Sequence, residues 1–369
     1  MSNMRRVLIF VPGLPMGGAE RHSIDLRHRL RERGYHVDLL VFGPRRSPAI
    51  LAMEGVDPFM AIGAGGMSKP GGWVRVHRAL RESRPSVILA VNQTPLIVSV
   101  VSRAIRATRA RIACVFHTTL LRESEEQRLG MFRGALRHAD AIVYVSDNQR
   151  RIWEGRNLQA MKTEVILNGI DLGRFSANAA ERSTNRSRLG YADDDFVVGA
   201  VAALRPEKNH VQIIDAVAEL RKRGVPARGL LVGDGPMREA IVQRCRQHGL
   251  EGQITLAGEQ DDVRPWVAAC DVGVLPSVAV ETFSLSAIEF LASGVPMVMS
   301  DIGGASEIVT AGRNGFLFPP GDTPQLVDRL FEVSVHELRR SLAEHARPSV
   351  SHLAVDRMVD QYEHLLGTL

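Results

Sequence analysis

Two glutamates eight residues apart, Glu281 and Glu289, have a spacing that could serve the binding of a polyhydroxylated anion. A helix is predicted over residues 284–293, so Glu281 lies on the preceding loop and Glu289 lies inside the helix. The first amides of such a helix lack intrahelical acceptors, and its dipole favours a phosphate there. Glu289 could accept hydrogen bonds from a diol such as a ribose, and Glu281 from a second polyol beyond the phosphates. The amides that would hold the anion are those of Phe283, Ser284, Leu285 and Ser286.

A basic loop follows the strand predicted over residues 196–202. Arg205 and Lys208 stand three residues apart on this loop, and Pro206 restricts its backbone. The two side chains could neutralise a pyrophosphate together, because Arg is a bidentate donor and Lys a point charge. A solvated basic turn explains this stretch equally well when it is taken alone, just as two exposed glutamates would explain the pair at 281 and 289.

Two glycine-containing loops also follow predicted strands. Gly17 and Gly18 come after the first strand, where small residues let backbone amides approach an anion at the start of a helix, although an ordinary tight turn is the alternative. The stretch that includes Gly233 begins like a dinucleotide-binding GxGxxG motif, but Arg238 occupies the position of the last glycine. The fingerprint is therefore not met, and NAD is not expected.

His117 follows the strand predicted over residues 110–116, which places an imidazole at the carboxyl end of a strand. It is either a structural histidine or a hydrogen-bond donor to a sugar hydroxyl or to charge that develops near an anomeric carbon. The sequence contains no Ser/His/Asp spacing, no HExxH motif and no DxD pair on a strand-end loop, so no metal is expected. The acidic run Asp193–Asp195 is attributed to solvation in a linker.

Apolar runs alternate with helical patterns along the whole chain, which predicts two parallel-sheet α/β domains of Rossmann type. A ligand would lie at the carboxyl ends of the strands, in a deep cleft that the two domains face across. The first half has predicted strands at 6–11, 36–42, 87–91, 110–116, 141–145 and 164–167, with helices at 19–33, 72–82, 95–106 and 125–138. The second half has strands at 196–202, 228–232, 253–257, 270–277, 296–300 and 315–318, with helices at 210–223, 236–248, 263–269 and 284–293. A terminal helix is predicted over residues 351–365.

The domains predicted are 1–175 and 176–350, with a C-terminal helix at 351–369 that could pack back on either domain, the first being the one preferred. A stretch without apolar periodicity, 168–195, is interpreted as the linker. The chain has 369 residues, of which 45% are hydrophobic and 24% charged, enough for two cores. Its three cysteines form no CxxC pair, and no apolar run is long enough for a signal peptide or a membrane span. These features favour a reducing, cytoplasmic compartment.

Charge is distributed unevenly between the two halves. Residues 1–180 contain 27 of the 46 Lys and Arg residues and 15 of the 41 Asp and Glu residues, a net charge of +12, whereas the remainder has −7. The excess of arginine favours an anionic partner, and a lipid headgroup surface is preferred to nucleic acid because aromatic residues make up only 5%. A solvated helix face is the plainer explanation. The prediction is a peripheral protein on the inner face of a membrane.

Several stretches together resemble the retaining glycosyltransferases of the two-Rossmann-domain type, particularly glycosyltransferase family 4. The stretches that carry the resemblance are GGAE at 17–20, VSDNQR at 145–150, VILNGID at 165–171, RPEKN at 205–209, LLVGDGP at 230–236, the E-x7-E pair Glu281 and Glu289, and GGASEI at 303–308. Their order covers nearly the whole chain. One departure is that Thr282 and Ser284 stand where the family usually has glycines, which bears on the sugar that is accepted.

The resemblance implies a role for each matching residue. It implies that Glu289 binds the nucleotide ribose and Glu281 the donor sugar, that Arg205 and Lys208 bind the diphosphate, and that His117 contacts the sugar. The loop of Gly17 and Gly18 would hold the donor phosphate or the acceptor. The implied catalytic set is His117, Glu281, Arg205 and Lys208, and the implied donor-binding set adds Gly17, Gly18, Gly233, Phe283, Ser284, Leu285 and Glu289.

The predicted function is therefore transfer of a hexose, with retention, from UDP- or GDP-hexose to a lipid-linked glycan or polysaccharide precursor, without a metal or other cofactor. A nucleotide-sugar epimerase of the same architecture and a non-catalytic nucleotide-sugar-binding protein are the alternatives. The base, the sugar, the acceptor and its linkage are read by loops that carry no general sequence signal.

Overall fold

The computed structural model describes residues 6–13, 17–42, 60–61, 70–176 and 179–369 of the chain. The chain divides into two compact units. Unit one is Met1–Gly169 together with Asp356–Leu369, and unit two is Ile170–Val355. Each unit has its own parallel sheet and its own buried apolar cluster.

The described part of unit one contains a seven-stranded parallel sheet in the order β3-β2-β1-β4-β5-β6-β7. Its strands are β1 (Arg6–Val11), β2 (His36–Val41), β3 (Met60–Ala61), β4 (Val87–Val91), β5 (Arg111–Phe116), β6 (Ala141–Tyr144) and β7 (Thr163–Val165). The central strands are apolar except at the first residues of β1 and β5, Arg6 and Arg111, because helices cover both faces of a parallel sheet. The order of the strands reverses between β1 and β4, so the loops after β1, β4 and β5 are neighbours at the carboxyl edge.

The helices of unit one connect these strands. They are α1 (Gly18–Glu32), α2 (Pro70–Ser83), α3 (Gln93–Ala104), α4 (Glu123–Glu126), α5 (Leu129–Leu136) and α6 (Asp147–Glu154). The helix predicted at 125–138 is thus two shorter helices, and α6 was not predicted. The C-terminal helix, which is α15 in chain order (Val355–Thr368), packs on this unit. Arg33 at the end of α1 forms ion pairs with Asp360 and Glu363 of α15.

The described part of unit two contains a six-stranded parallel sheet in the order β10-β9-β8-β11-β12-β13. Its strands are β8 (Phe196–Val201), β9 (Ala227–Val232), β10 (Ile254–Gly258), β11 (Val272–Leu275), β12 (Met297–Ser300) and β13 (Gly315–Phe318). Its helices are α7 (Ala179–Leu189), α8 (His210–Lys222), α9 (Arg238–His248), α10 (Arg264–Ala268), α11 (Leu285–Ala292), α12 (Ala305–Ile308), α13 (Thr323–Ser334) and α14 (His336–Ser349). Here the order reverses between β8 and β11.

The stretch interpreted as a linker is partly a helix, which corrects the sequence-based interpretation. Helix α7 contacts the rest of unit two through arginines rather than through apolar residues. Its sequence therefore lacks the apolar periodicity by which a helix is predicted. Arg186 is buried and donates to Asp271 Oδ2 at 3.1 Å, and Arg182 donates to Asp271 Oδ1 at 2.7 Å. Asp195 is not solvated either, since its carboxylate is buried and accepts from Arg228 Nε at 3.0 Å. Within this stretch, residues 177–178 lie outside the described residues.

None of the helices in the described ranges is long and apolar enough to cross a membrane.

Candidate functional site

The predicted anion-binding residues of unit two lie at the carboxyl edge of its sheet, around the point where the strand order reverses. The loops after β8 and β9 are joined by hydrogen bonds from the Leu204 amide to the Asp234 carbonyl (3.0 Å) and from the Met237 amide to the Leu204 carbonyl (2.9 Å). Gly233 has φ +136°, and a Cβ there would lie 2.1 Å from the Ala202 carbonyl oxygen. Only glycine fits this close approach, so Gly233 allows the loop after β9 to lie against the backbone that leads into the basic loop.

Lys208 and Glu281 form the central contact of this edge. The Lys208 ammonium lies 2.7 Å from Glu281 Oε2, and the same oxygen accepts from the Ser277 hydroxyl at 3.0 Å. The backbone supports the pair, because the Val278 amide donates to the Glu207 carbonyl at 2.9 Å and ties the two loops together. The Glu281 side chain is only 9% exposed. The strand order reverses between β8 and β11, and the loops after these two strands bring Lys208 and Glu281 together as one partly buried ion pair.

The loop after β12 fixes the backbone of Glu281 from the other side. The Gly304 amide donates to the carbonyls of Glu281 (3.2 Å) and Thr282 (3.1 Å). Gly303 has φ +57°, and a Cβ there would lie 1.6 Å from the Glu281 carbonyl oxygen. Any side chain at position 303 would push this loop away, so the GGASEI stretch positions Glu281. The sequence alone indicated this motif as part of the family resemblance, but not that it positions Glu281.

Helix α11 begins directly after the pair, as predicted. Its N-cap is Ser284, whose hydroxyl accepts from the Ala287 amide at 3.3 Å. The serine that replaces the expected glycine thus caps the helix with its own side chain. Phe283, Ser284 and Leu285 are all buried, so packing against the surrounding residues fixes the position of the start of the helix.

Glu289 is fully buried in the second turn of α11, with 0% of the residue exposed. Its neighbours Ile288 and Phe290 are also fully buried. The explanation that the pair at 281 and 289 is two exposed surface glutamates is therefore wrong for both residues. Burying a carboxylate costs free energy unless it serves an interaction, so this position is unusual for a merely structural residue.

Arg205 differs from Lys208 in its surroundings. Its side chain is 42% exposed, and its guanidinium lies 3.9 Å from Glu207 Oε1. Arg205 is the N-cap of the short 3-10 turn Pro206–Lys208, so one turn carries both cations. His210 lies just beyond the turn, and burial together with the Lys208 charge lowers the pKa of His210 to about 4. The loop thus carries two cations and a neutral imidazole.

The remaining predicted residues, His117, Gly17 and Gly18, belong to unit one. Gly17 is the N-cap of α1, and a Cβ there would lie 2.5 Å from a Glu20 carboxylate oxygen. Gly18 is the first residue of the helix. His117 follows β5, and its amide donates to the Asn92 side-chain oxygen at 3.0 Å. The neighbouring Thr118 carbonyl accepts from Gln149 (2.9 Å) and from the Trp153 indole (2.6 Å), which anchors the loop to α6.

His117 packs against a second histidine that sequence reasoning missed. The His22 ring lies edge-on to the His117 ring with 4.8 Å between centroids. His22 Nε2 is 3.3 Å from the Tyr362 hydroxyl on α15. Burial lowers the pKa of His22 to about 4, and burial together with His22 holds the pKa of His117 well below its usual value. Both imidazoles are neutral at ordinary pH, so His117 is suited to hydrogen bonding rather than to carrying charge.

In the described ranges there is no group of three or more His, Cys, Asp or Glu side chains arranged to hold a metal ion. Arg205 and Lys208 are two cations of the basic turn whose charges could balance an anion.

Two family models match the sequence. The model described as Glycosyltransferase Family 4 matches residues 16–174, and the model described as Glycosyl transferases group 1 matches residues 195–334. The putative glycosyltransferase EpsF of Bacillus subtilis is 27% identical over 324 residues, which cover 84% of this chain and 82% of that protein. The putative colanic acid biosynthesis glycosyltransferase WcaL of Salmonella typhimurium is 28% identical, with 68% of this chain and 62% of that protein covered.

The chain is also similar to solved structures. Anabaena HepE in complex with UDP has a TM-score of 0.87 and 25% identity, with 99% of this chain and 100% of that chain covered. HepE has also been solved with UDP and glucose and with UDP-glucose. WaaG, a glycosyltransferase involved in lipopolysaccharide biosynthesis, has the same fold at 16% identity, with a TM-score of 0.75 and coverage of 96% and 98%. The predicted α/β class with two Rossmann-like parallel-sheet domains is confirmed.

Proposed function

We propose that the chain is a glycosyltransferase of the two-Rossmann-domain type, as its similarity to both family models, to EpsF and to HepE supports. It would transfer a hexose from a nucleotide diphosphate donor to an acceptor hydroxyl, with retention at the anomeric carbon, as expected for family 4. UDP-hexose is the donor to test first, since UDP and UDP-glucose are bound in the similar HepE structures. GDP-hexose is the second. The observation that carries the proposal is the Lys208–Glu281 pair at the reversal point of the unit-two sheet.

The diphosphate would bind against the first turn of α11 and the basic turn that carries Arg205 and Lys208. A phosphate oxygen competes with Glu281 for the Lys208 ammonium, because phosphate is the more highly charged acceptor. Glu281, once it no longer holds Lys208, can accept hydrogen bonds from hydroxyls of the donor sugar. The existing ion pair would therefore keep both groups in place and charge-balanced until the donor arrives.

Glu289 would accept hydrogen bonds from the ribose hydroxyls. Glu289 is fully buried, so nucleotide binding has to uncover at least one of its carboxylate oxygens. A carboxyl oxygen can accept hydrogen bonds from a vicinal diol, and the free energy gained there helps to offset the displacement of the surrounding side chains.

The chemical step replaces the bond between the anomeric carbon and the diphosphate oxygen by a bond to the acceptor oxygen. Negative charge grows on the departing diphosphate, and Arg205, Lys208 and the amides of α11 stabilise it without a metal ion. The acceptor hydroxyl gives up its proton to the departing phosphate or to water. Neutral His117 would donate a hydrogen bond to the sugar, and the loop of Gly17 and Gly18 would contact the donor phosphate or the acceptor.

The acceptor that we propose is a lipid-linked glycan or a polysaccharide precursor, modified on the cytoplasmic side of a membrane. This class is supported by the relatives, since WcaL is described as a colanic acid biosynthesis glycosyltransferase.

Donor turnover by the full chain tests the proposal. The protein is incubated with UDP-glucose, its hexose isomers and GDP-mannose, with and without a pooled glycolipid extract. Mass spectrometry of the products and the NMR coupling of the new anomeric proton then identify the transferred sugar and its configuration. Acceptor-dependent release of nucleoside diphosphate with an α-linked product from an α-linked donor is expected. An epimerised donor without transfer, or tight donor binding without turnover, would replace the proposal by one of the two alternatives.

A further inference from the structure

A cavity of about 290 Å³ lies on unit one between α2 and the end of α3. Its lining is mainly apolar and consists of Trp73, Val74, His77, Ser102, Ile105 and Ala107. Val74 is 58% exposed and Ile105 is 64% exposed, so the two large side chains stand in solvent at the rim. Apolar side chains that remain exposed together around a concave site mark an interaction surface.

Exposed arginines lie close in the chain to the residues that line this cavity. On α2, Arg78 and Arg81 each come four residues after a lining residue, Val74 and His77, and so share its face of the helix. Arg75 directly follows Val74, and Arg106 and Arg109 follow Ile105. None of these five has an ion-pair partner among the residues that the structure describes. Glu82 is the only acidic residue in the sequence between positions 70 and 110. We call the five arginines together with Val74 and Ile105 the α2–α3 surface.

Many other arginines of unit one are unavailable to an outside partner. Arg27 is buried in α1. Arg33 is held by the carboxylates of α15, while Arg103 and Arg111 both bind Asp140. The net charge of the first half of the chain therefore overstates its binding capacity, whereas five of the exposed arginines without an ion pair in the described ranges of unit one belong to the α2–α3 surface.

We propose that the α2–α3 surface docks unit one on an anionic lipid bilayer. Val74 and Ile105 would enter the boundary between headgroups and acyl chains, and Trp73 would lie at headgroup level, where indole rings are favoured. The arginines would reach lipid phosphates while their stems cover the apolar rim. The cavity is at the small end of the range for ligand pockets, roughly 300–1,000 Å³, so it suits part of an acyl chain better than a separate ligand.

The combination of an apolar centre with a basic rim favours a bilayer over other anionic partners. A nucleic acid would contact the arginines but would leave Val74 and Ile105 in water, and only Trp73 could stack on a base. This inference deepens the acceptor class named in the proposed function. It does not need turnover, so it can fail or succeed separately from that proposal.

Vesicle co-sedimentation of the full chain tests the proposal without donor or acceptor. Vesicles of phosphatidylcholine alone are compared with vesicles that also contain phosphatidylglycerol, at low and at high salt. We expect binding only to the anionic vesicles, with loss of binding as salt screens the attraction. Emission from Trp73 should be quenched by brominated lipid, and this quenching should disappear in Trp73→Phe.

Matched variants separate the charged and apolar contributions. Arg78→Glu with Arg81→Glu reverses two charges, and its control is Arg246→Glu, an exposed arginine of acidic unit two. Val74→Ser with Ile105→Ser removes the apolar rim, and its control is Met161→Ser, which is 84% exposed in the same unit. Each arginine removed should weaken vesicle binding about fivefold. The two controls should bind vesicles like the parent.

The positions changed in the matched variants are all exposed, so these variants should keep the circular dichroism and the UDP affinity of the parent. Equal binding to neutral and anionic vesicles, no binding to either, or unchanged binding by both surface variants would each overturn the proposal. Retention of an RNA instead of vesicles, with the same dependence on Arg78 and Arg81, would assign the surface to nucleic acid and overturn it as well. Vesicle binding combined with absent glycosyl transfer would uphold the surface and refute the proposed function alone.

Discussion

The Lys208 ammonium and the Glu281 carboxylate lie 2.7 Å apart although 73 residues separate them in the chain. Each group limits the freedom of the other, and Ser277 and the backbone of Gly304 hold the carboxylate side. A substitution of either partner therefore changes two things at once, the site for a ligand and the charge balance of a partly buried pair. This coupling determines how variants at the site should be interpreted.

The first prediction concerns the two cations of the basic turn. Arg205→Ala should weaken UDP binding by about 1.5–3 kcal/mol, because it removes a charge-assisted hydrogen bond and leaves the Lys208–Glu281 pair intact. Lys208→Ala should weaken UDP binding similarly and should also lower stability, because Glu281 loses its counterion. Calorimetric titration with UDP and urea unfolding measure the two effects. The control is Arg246→Ala, and normal affinity and turnover in the Arg205/Lys208 double variant would exclude the turn from the donor site.

The second prediction separates the two glutamates. Glu289→Gln should weaken binding of free UDP, because a ribose contact is common to the donor and to the nucleotide product. Glu281→Gln should leave UDP binding unchanged or make it tighter, since Lys208 is released for phosphate, and it should lower the rate of transfer. Titration of both variants with UDP and steady-state kinetics with the donor give the answer. If Glu281→Gln weakened UDP and Glu289→Gln did not, the two roles would have to be exchanged.

The third prediction uses a pair of glycines that share a backbone conformation. Gly303→Ala places a methyl group 1.6 Å from the Glu281 carbonyl oxygen, whereas Gly312→Ala, at a similar positive φ, meets nothing within 4 Å. Both should lose about 1–2 kcal/mol of stability from the left-handed conformation. Only Gly303→Ala should also displace Glu281 and reduce transfer at least tenfold. Equal activities of the two variants would show that the GGASEI loop does not position Glu281.

The fourth prediction concerns the acid sensitivity that His22 confers on unit one. Its pKa is about 4 in the folded protein and about 6.5 when unfolded, so above pH 6.5 the residue is neutral in both states. Below pH 6.5 the unfolded state binds a proton that the folded state does not. The free energy of unfolding should therefore fall by about 2 kcal/mol between pH 6.5 and 5 on account of this residue. Urea unfolding at several pH values measures the slope, and His22→Gln should be less sensitive to acid.

His28→Gln, which removes a half-buried histidine from the same helix, is measured alongside His22→Gln. A parent slope retained by His22→Gln would place the acid-sensitive group elsewhere in the chain. Transfer by His22→Gln should also fall while UDP affinity stays normal, because His22 packs on His117 and UDP is assigned to unit two.

The secondary structure could be predicted best where local composition and burial agree. The predicted bounds of the strands Val87–Val91 and Gly315–Phe318 agree with the structure to the residue, because both strands are continuous apolar runs closed by polar residues, proline or glycine. Helix α7 could not be predicted in this way. Its buried contacts are made by Arg182 and Arg186, which bind Asp271 from a distant loop, so the pattern of apolar residues contains no trace of it.

The sequence by itself determined the repeated α/β alternation and the chemical types at each strand end: the basic turn, the two glutamates, the glycine loops and His117. Only the tertiary structure decided which of these meet. The Lys208–Glu281 pair exists because the chain places β11 beside β8, and the sequence between them does not encode this order locally. In the same way, His22, His117 and Tyr362 come from α1, the loop after β5 and the returning α15, and they meet because β1, β4 and β5 are adjacent and the terminal helix packs on α1. Long-range packing sets such contacts, since each side chain finds its partner across the sheet rather than along the chain.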